Sequence, residues 1–320
     1  MSWSGVRRLL PWLLATWFIV ISAMRLVVIG PGGPGFDGRL YRSAAVAWLG
    51  GADPWQVVQG GVYFGAPPPS LLPMVPFALL PETVGVGALL VLGLAGSAWA
   101  IRRLGLPLWW LAFPPLVDGM WNANPHVLVL PLILAGLAPL ATILKVYAAI
   151  VPAVRLELRA LVLTAVALVV TAPFVPWALY LSERQTISER LERTAGGGLS
   201  VWAIDQPLLP IAVVLALVAL AVLVRRNRER AAWLAMPAFW PWTQWYYSSL
   251  AIPAIVGDTA TATGLVAMLA AAILAIPLEG GPVIALAVVA FGPPLVERLG
   301  ASRPAWREAR AHGTLRTPNP

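Results

Sequence analysis

The chain has 320 residues, of which 59% are hydrophobic and 11% charged, against about 25% charged in a soluble domain, so it reads as an all-α, polytopic integral membrane protein. Its net charge of +8 falls on arginines in short loops between apolar segments, the positive-inside pattern, which excludes nucleic acid as the partner. With no cysteine and two histidines, it offers no disulfide, cysteine nucleophile, thiolate metal site or multi-histidine metal site, and no cofactor is called for.

The run 9–30 follows a basic start at Arg7 and Arg8 and is long enough to cross a bilayer, which takes about 20 residues. It reads as a retained signal-anchor, because it is too long for a cleaved signal and lacks a small-x-small site. The loop 31–69 comes next, rich in glycine and proline, and carries Asp37 and Asp53. Leu40, Tyr41, Ala44, Ala45 and Trp48 recur at helical spacing. That spacing predicts an interfacial helix over about 37–49, with its aromatics in the headgroup zone. Asp37 stands at the start of this helix. Two roles fit it: an N-cap, which aspartate favours, or a general base that takes a proton from an acceptor hydroxyl. Asp53, in Gly50-Gly51-Ala52-Asp53-Pro54-Trp55, reads as a structural turn.

Apolar segments follow at about 70–82, 83–101, 107–119, 124–138, 139–153, 160–181, 207–224, 231–243, 246–258, 260–277 and 281–298. Several are too short for a perpendicular span. The expectation is therefore nine to twelve transmembrane or re-entrant helices in one domain, 1–300. The arginines place both termini in the cytoplasm and the loops 31–69 and 182–206 outside. Arg102 and Arg103 obey that rule only if 70–101 crosses once, as a broken helix.

Asn122, Asn124 and His126 form a polar cluster between two apolar segments. Lys145 is the only lysine and lies inside an apolar segment, where a central charge costs about 3 kcal/mol on the insertion scale. Either it snorkels to the cytoplasmic surface, or it binds the phosphate of a lipid carrier. In the loop 182–206, Arg184, Arg190 and Arg193 alternate with Glu183, Glu189 and Glu192, as on a solvated, salt-bridged helix. Asp205 is a second candidate acid. The block 240–247 is dense in aromatics. It suits an interfacial belt, or a sugar platform in which Gln244 hydrogen-bonds hydroxyls beside Tyr246 and Tyr247. The tail 301–320 reads as cytoplasmic and disordered.

Taken in order, Asp37, Tyr41-Arg42-Ser43-Ala44-Ala45, Gly51-Ala52-Asp53-Pro54-Trp55, the Pro67-Pro68 step and the stretch from Pro76 to Pro81 resemble the GT-C class of membrane glycosyltransferases. The nearest resemblance is to glycosyltransferase family 87, the polyprenyl-phosphate-mannose-dependent α-mannosyltransferases of cell-envelope glycolipids. Asn122-Ala123-Asn124 looks like that family's G-Q/N-x-N element, and Leu144-Lys145-Val146-Tyr147 like its I-K-x-x-P. Two positions depart from it. Trp121 stands where the family has glycine, and Gln244, Tyr246 and Tyr247 occupy a block where relatives tend to carry a histidine.

The resemblance implies a GT-C-like fold and a hexosyltransferase of the plasma membrane with its site facing outside. It makes Asp37 the general base of an inverting transfer that requires no metal, and Lys145 a donor-phosphate contact. The substrate- and donor-binding set is then Lys145, Arg42, Tyr41, Asn122, Asn124, His126, Gln244, Tyr246 and Tyr247. The partners are a polyprenyl-phosphate sugar donor, a glycolipid or glycan acceptor, and membrane lipids. Two alternatives stand beside it. One is a non-enzymatic lipid transporter or flippase, whose signs would be internal repeats and broken helices with paired mid-membrane charges. Only Arg25 and Lys145 are candidates for such charges. The other is a catalytically inactive homologue.

Overall fold

The structure is a computed structural model and describes residues 3–29, 33–195, 198–259 and 261–311. It is helical almost throughout. Helix α1 is Trp3–Ile29 and α2 is Phe36–Leu49, at the place where the amphipathic spacing puts a helix. A small hairpin follows, with β1 (Val58–Gln59) paired antiparallel to β2 (Val62–Tyr63), the one strand pair among the described residues. Gly60 and Gly61 make its turn at φ 54° and 83°, the left-handed pair that two-residue hairpin loops need.

The rest of the chain is α3 (Val75–Ala78), α4 (Glu82–Arg103), α5 (Pro114–Trp121), α6 (Val129–Leu134), α7 (Ala138–Leu144), α8 (Ile150–Arg155), α9 (Leu158–Thr171), α10 (Trp177–Ala195), α11 (Leu209–Arg226), α12 (Arg228–Phe239), α13 (Ala262–Leu274) and α14 (Gly281–Ala311). The last helix takes in 301–311, part of the segment expected to be a disordered tail. The remainder of that tail, 312–320, lies outside the described residues.

Among the described residues, three helices are long and apolar enough to cross a membrane: Arg8–Ile29, Glu82–Arg103 and Leu209–Arg226. A fourth is possible if Leu158–Phe174 and Trp177–Arg193, which meet at 99°, count as one broken span. This is fewer than the nine to twelve transmembrane or re-entrant helices expected. Between 70 and 103 only α4 has spanning length. The long apolar helices are consistent with a membrane protein. On α11 Ile211, Val214, Leu215, Leu217 and Val218 are all exposed, a contiguous apolar face of the kind lipid would cover.

Proline explains the short helices. There are 31 prolines in the chain, and a proline occupies the first turn of α3, α5, α7 and the 3-10 turn Pro125–Leu128. Proline suits the first turn, where its missing N–H is not required, and blocks continuation from the preceding turn. Apart from α4, the apolar text between 68 and 155 is therefore cut into one- and two-turn pieces.

Two apolar clusters result. The larger joins α1, α5, α8 and α11–α14 around Phe18, Phe113, Trp233 and Met236. The smaller packs α2 on the first loop and α3 around Trp55, Phe64, Leu71 and Met74. Asp53 accepts a hydrogen bond from the Trp55 N–H at 2.8 Å and caps the 3-10 turn Pro54–Gln56. It is thus the structural turn expected of it, and it presents Trp55 to the smaller cluster.

Candidate functional site

A cavity of about 550 Å³ lies between the two clusters, with Leu40 and Tyr41 from the smaller and Tyr147 from the larger on its walls. That volume is in the range of about 300–1,000 Å³ usual for small-molecule sites. Of the residues singled out in the sequence, Asp37, Tyr41, Asn122, Asn124, Lys145, Gln244, Tyr246 and Tyr247 all line it. They come from four parts of the chain.

The N-cap of α2 is Gly35, at φ 85°, so Asp37 is not the cap. It sits in the first turn, and its carboxylate turns away from its own helix to accept a hydrogen bond from Asn124 Nδ2 at 2.8 Å. The capping role is therefore set aside. The Asn124 amide is held in one orientation. Its Oδ1 accepts the His126 backbone N–H at 2.9 Å, which only a carbonyl oxygen can do. Nδ2 is left for Asp37 and for the Tyr246 hydroxyl at 3.0 Å.

Glycine makes this contact possible. Gly38 N donates to Asn122 O at 3.0 Å, and Gly35 N to Trp121 O at 2.7 Å. A Cβ on Gly38 would stand 2.8 Å from Ala123 Cβ. Ala123 is itself left-handed, at φ 50°. The close approach of α2 to this strained turn is what sets Asp37 against Asn124. Gly38→Val is expected to destabilise the fold by about 1–3 kcal/mol through overpacking and to weaken any activity that needs the Asp37–Asn124 contact. Thermal unfolding in detergent checks this, and an unchanged transition would mean that α2 does not sit this close.

Lys145 lies at the break between α7 and the 3-10 turn Val146–Ala149, with extended backbone. It is buried, and its Nζ donates to the Tyr41 hydroxyl. The ammonium is 4.4 Å from the Tyr41 ring centroid and 5.8 Å from that of Tyr247, in reach of cation–π attraction. It points into the cavity and does not snorkel to a surface. Asp37 and Tyr41 are four residues apart and share a face of α2. The Asp37 carboxyl is pushed up to about 6, chiefly because burial takes it out of water. The Asn124 hydrogen bond and the Lys145 charge pull it down, and the Asp118 charge pushes it up.

Two candidates fall elsewhere. Arg42 is five residues from Asp37, about 140° round the helix, and does not reach the cavity. Its guanidinium donates to Phe77 O at 3.1 Å and Leu80 O at 2.6 Å, satisfying carbonyls at the end of α3 as cations at a helix C-terminus do. His126 is wholly buried behind the wall. Its Nδ1 is 2.5 Å from the Tyr147 hydroxyl and its Nε2 3.0 Å from Ser249 Oγ. It supports Tyr147 and the Asn124 turn without facing the cavity.

The aromatic block forms a wall. Trp240, Trp242, Gln244, Trp245, Tyr246 and Tyr247 all line the cavity, and Trp242 is left-handed at φ 53°. Helix α10 covers another side through Tyr180 and Leu191. It is tied to the first loop by Arg190, which donates to Trp55 O at 3.1 Å and lies 4.2 Å from the Tyr63 ring centroid. Gln56 Nε2 donates to Glu183 at 3.1 Å.

Sequence reasoning passed over one carboxylate. Asp118 on α5 lines the cavity, its side chain 3% exposed, and pairs with Arg25 Nε at 3.2 Å. Asn122 Nδ2 donates to the Asp118 backbone carbonyl at 2.9 Å and approaches its Oδ1 at 3.4 Å. Each asparagine of Asn122-Ala123-Asn124 thus contacts one carboxylate. The available signal was a lone acid in one apolar segment and a lone arginine in another, since charges at such depth come in pairs. Compared with protein-family models, curated proteins and solved structures, the chain matches none.

Proposed function

We propose that this chain is a membrane glycosyltransferase of the GT-C kind, acting at the outer face of the plasma membrane. It moves a sugar, mannose by the resemblance, from a polyprenyl-phosphate donor to a lipid-linked or glycan acceptor. The observation that carries the reading is the convergence of Asp37, Asn124, Lys145 and the 240–247 aromatics on one cavity. An aspartate carboxyl raised to about 6 suits a general base near neutral pH.

In the reaction the acceptor hydroxyl oxygen attacks the anomeric carbon and its proton passes to Asp37. The bond from that carbon to the phosphate oxygen breaks, and its electron pair stays with the lipid phosphate. A single displacement inverts the anomeric centre. The leaving phosphate gains negative charge, which the Lys145 ammonium stabilises. The tryptophan and tyrosine rings pack on the sugar, and Gln244 hydrogen-bonds its hydroxyls.

The test is donor turnover by the purified protein across pH. Asp37 works as the carboxylate and Lys145 as the ammonium, whose pKa burial pushes down to about 7. The rate therefore falls about tenfold per pH unit below about pH 6 and falls again above about 7 as Lys145 loses its proton. No sugar transfer at any pH, with a panel of polyprenyl-phosphate sugars and glycolipid acceptors, would sink the reading. The transporter reading draws support from the Arg25–Asp118 pair inside apolar segments and from helices broken at proline. Turnover in detergent, where there are no two sides, separates the two.

A further inference from the structure

We infer that Arg25 is an anion subsite of this cavity that takes the phosphate of a lipid-linked substrate, with Asp118 and Trp245 as its positioning residues. The identity of the lipid phosphate rests on the transferase reading. The anion subsite itself rests on geometry. Arg25 Nε is held by Asp118 Oδ1 at 3.2 Å, and the guanidinium carbon lies 5.6 Å from the Trp245 ring centroid. A guanidinium has five N–H donors, and the pair uses only Nε. Among the described residues no hydrogen bond reaches either terminal nitrogen. The side chain is 35% exposed, and it lines the cavity. Two planar N–H groups free toward a cavity match the oxygens of a phosphate.

The depth argues for a lipid source. Arg25 lies four residues before the end of a helix long enough to cross a membrane, about 6 Å below that end. A phosphate joined to a polyprenyl chain sits at this boundary between hydrocarbon and headgroups. The buried carboxylate keeps the empty site neutral, since an unpaired guanidinium in apolar surroundings is costly. It also fixes the arginine in place before ligand arrives.

Transfer changes the charge at this point. The donor phosphodiester carries about one negative charge, and the released monoester approaches two. A guanidinium bound to it therefore holds the product more strongly than the donor, and holds the transition state part-way between.

The experiment measures binding to purified protein in nanodiscs, using polyprenyl phosphate, a polyprenyl-phosphate sugar, neutral polyprenol and inorganic phosphate. Arg25→Gln alone orphans Asp118, so the main variant is the neutral double substitution Arg25→Gln with Asp118→Asn, beside Arg25→Lys. The double variant is expected to bind polyprenyl phosphate roughly tenfold to a hundredfold more weakly. It should bind the sugar donor less weakly than that and polyprenol as the wild type does, while Arg25→Lys keeps part of the phosphate affinity. Unchanged polyprenyl-phosphate affinity in a folded double variant overturns the subsite. So does an equal loss for polyprenol, which would mean that the pair only ties α1 to α5. Inorganic phosphate binding as tightly as the lipid phosphate overturns the lipid source. Donor turnover by the wild type is scored separately. The expected binding pattern without turnover removes the transferase reading and keeps the phosphate subsite, whereas turnover with unchanged binding removes the subsite alone.

Discussion

Asp37→Asn is expected to lower sugar transfer by a factor of about 10² to 10⁴, the usual contribution of a general base, while the protein still inserts and folds. The substitution removes the proton acceptor and little else. Asparagine keeps a carbonyl oxygen for the Asn124 Nδ2 bond, now 2.8 Å long. The N-cap position of α2 is Gly35 and not Asp37, so the substitution removes no capping bond. Burial already works against the Asp37 charge, so a neutral amide there introduces no new desolvation cost. The measurement is initial transfer rate at saturating donor, with the melting transition as control. Full activity in the folded asparagine variant would eliminate the base role. Loss of activity with loss of fold would be met by Asp37→Glu, which keeps a carboxylate and should recover part of the rate if Asp37 is the base.

Lys145→Met should weaken donor binding by about 2–4 kcal/mol, within the range for removing one partner of a buried charge pair. Lys145→Arg should retain part of it, since the charge survives while the donor geometry changes. Lys145 also acts on Asp37, because its charge pulls that carboxyl down. The sign follows directly. Without the ammonium the Asp37 carboxyl rises further, and the acid limb of the rate profile moves above about 6. A shifted limb with unchanged donor affinity would make Lys145 a positioning residue for the base and leave Arg25 as the phosphate contact. Equal affinity and an unmoved limb in all three proteins would remove Lys145 from the site.

The sequence alone was enough for the helical class, the place of α2 and the structural role of Asp53, because each is written in local text. A 3.6-residue apolar spacing, a scarcity of charge and an aspartate before proline act over one or two turns. Eight of the polar residues that the sequence singles out, Asp37, Asn124 and Lys145 among them, also line the cavity. What the sequence left open was direction. Arg42 and Tyr41 are adjacent in the chain, yet one reaches α3 and the other the cavity, because 100° of helix rotation separates them. His126 and Asn124 share one polar cluster, but the turn at Pro125 sends the histidine behind the wall that the asparagine forms. Asp37 and Asn124 are 87 residues apart, Arg25 and Asp118 are 93 apart, and no periodicity encodes such pairs. Tertiary packing decides them. Prolines cut the apolar text into short helices, and α2 approaches the Asn122–Asn124 turn closely only because Gly38 has no side chain. A buried carboxylate then has to find whatever donor that packing brings within reach, since leaving it unpaired costs more than any local preference can supply.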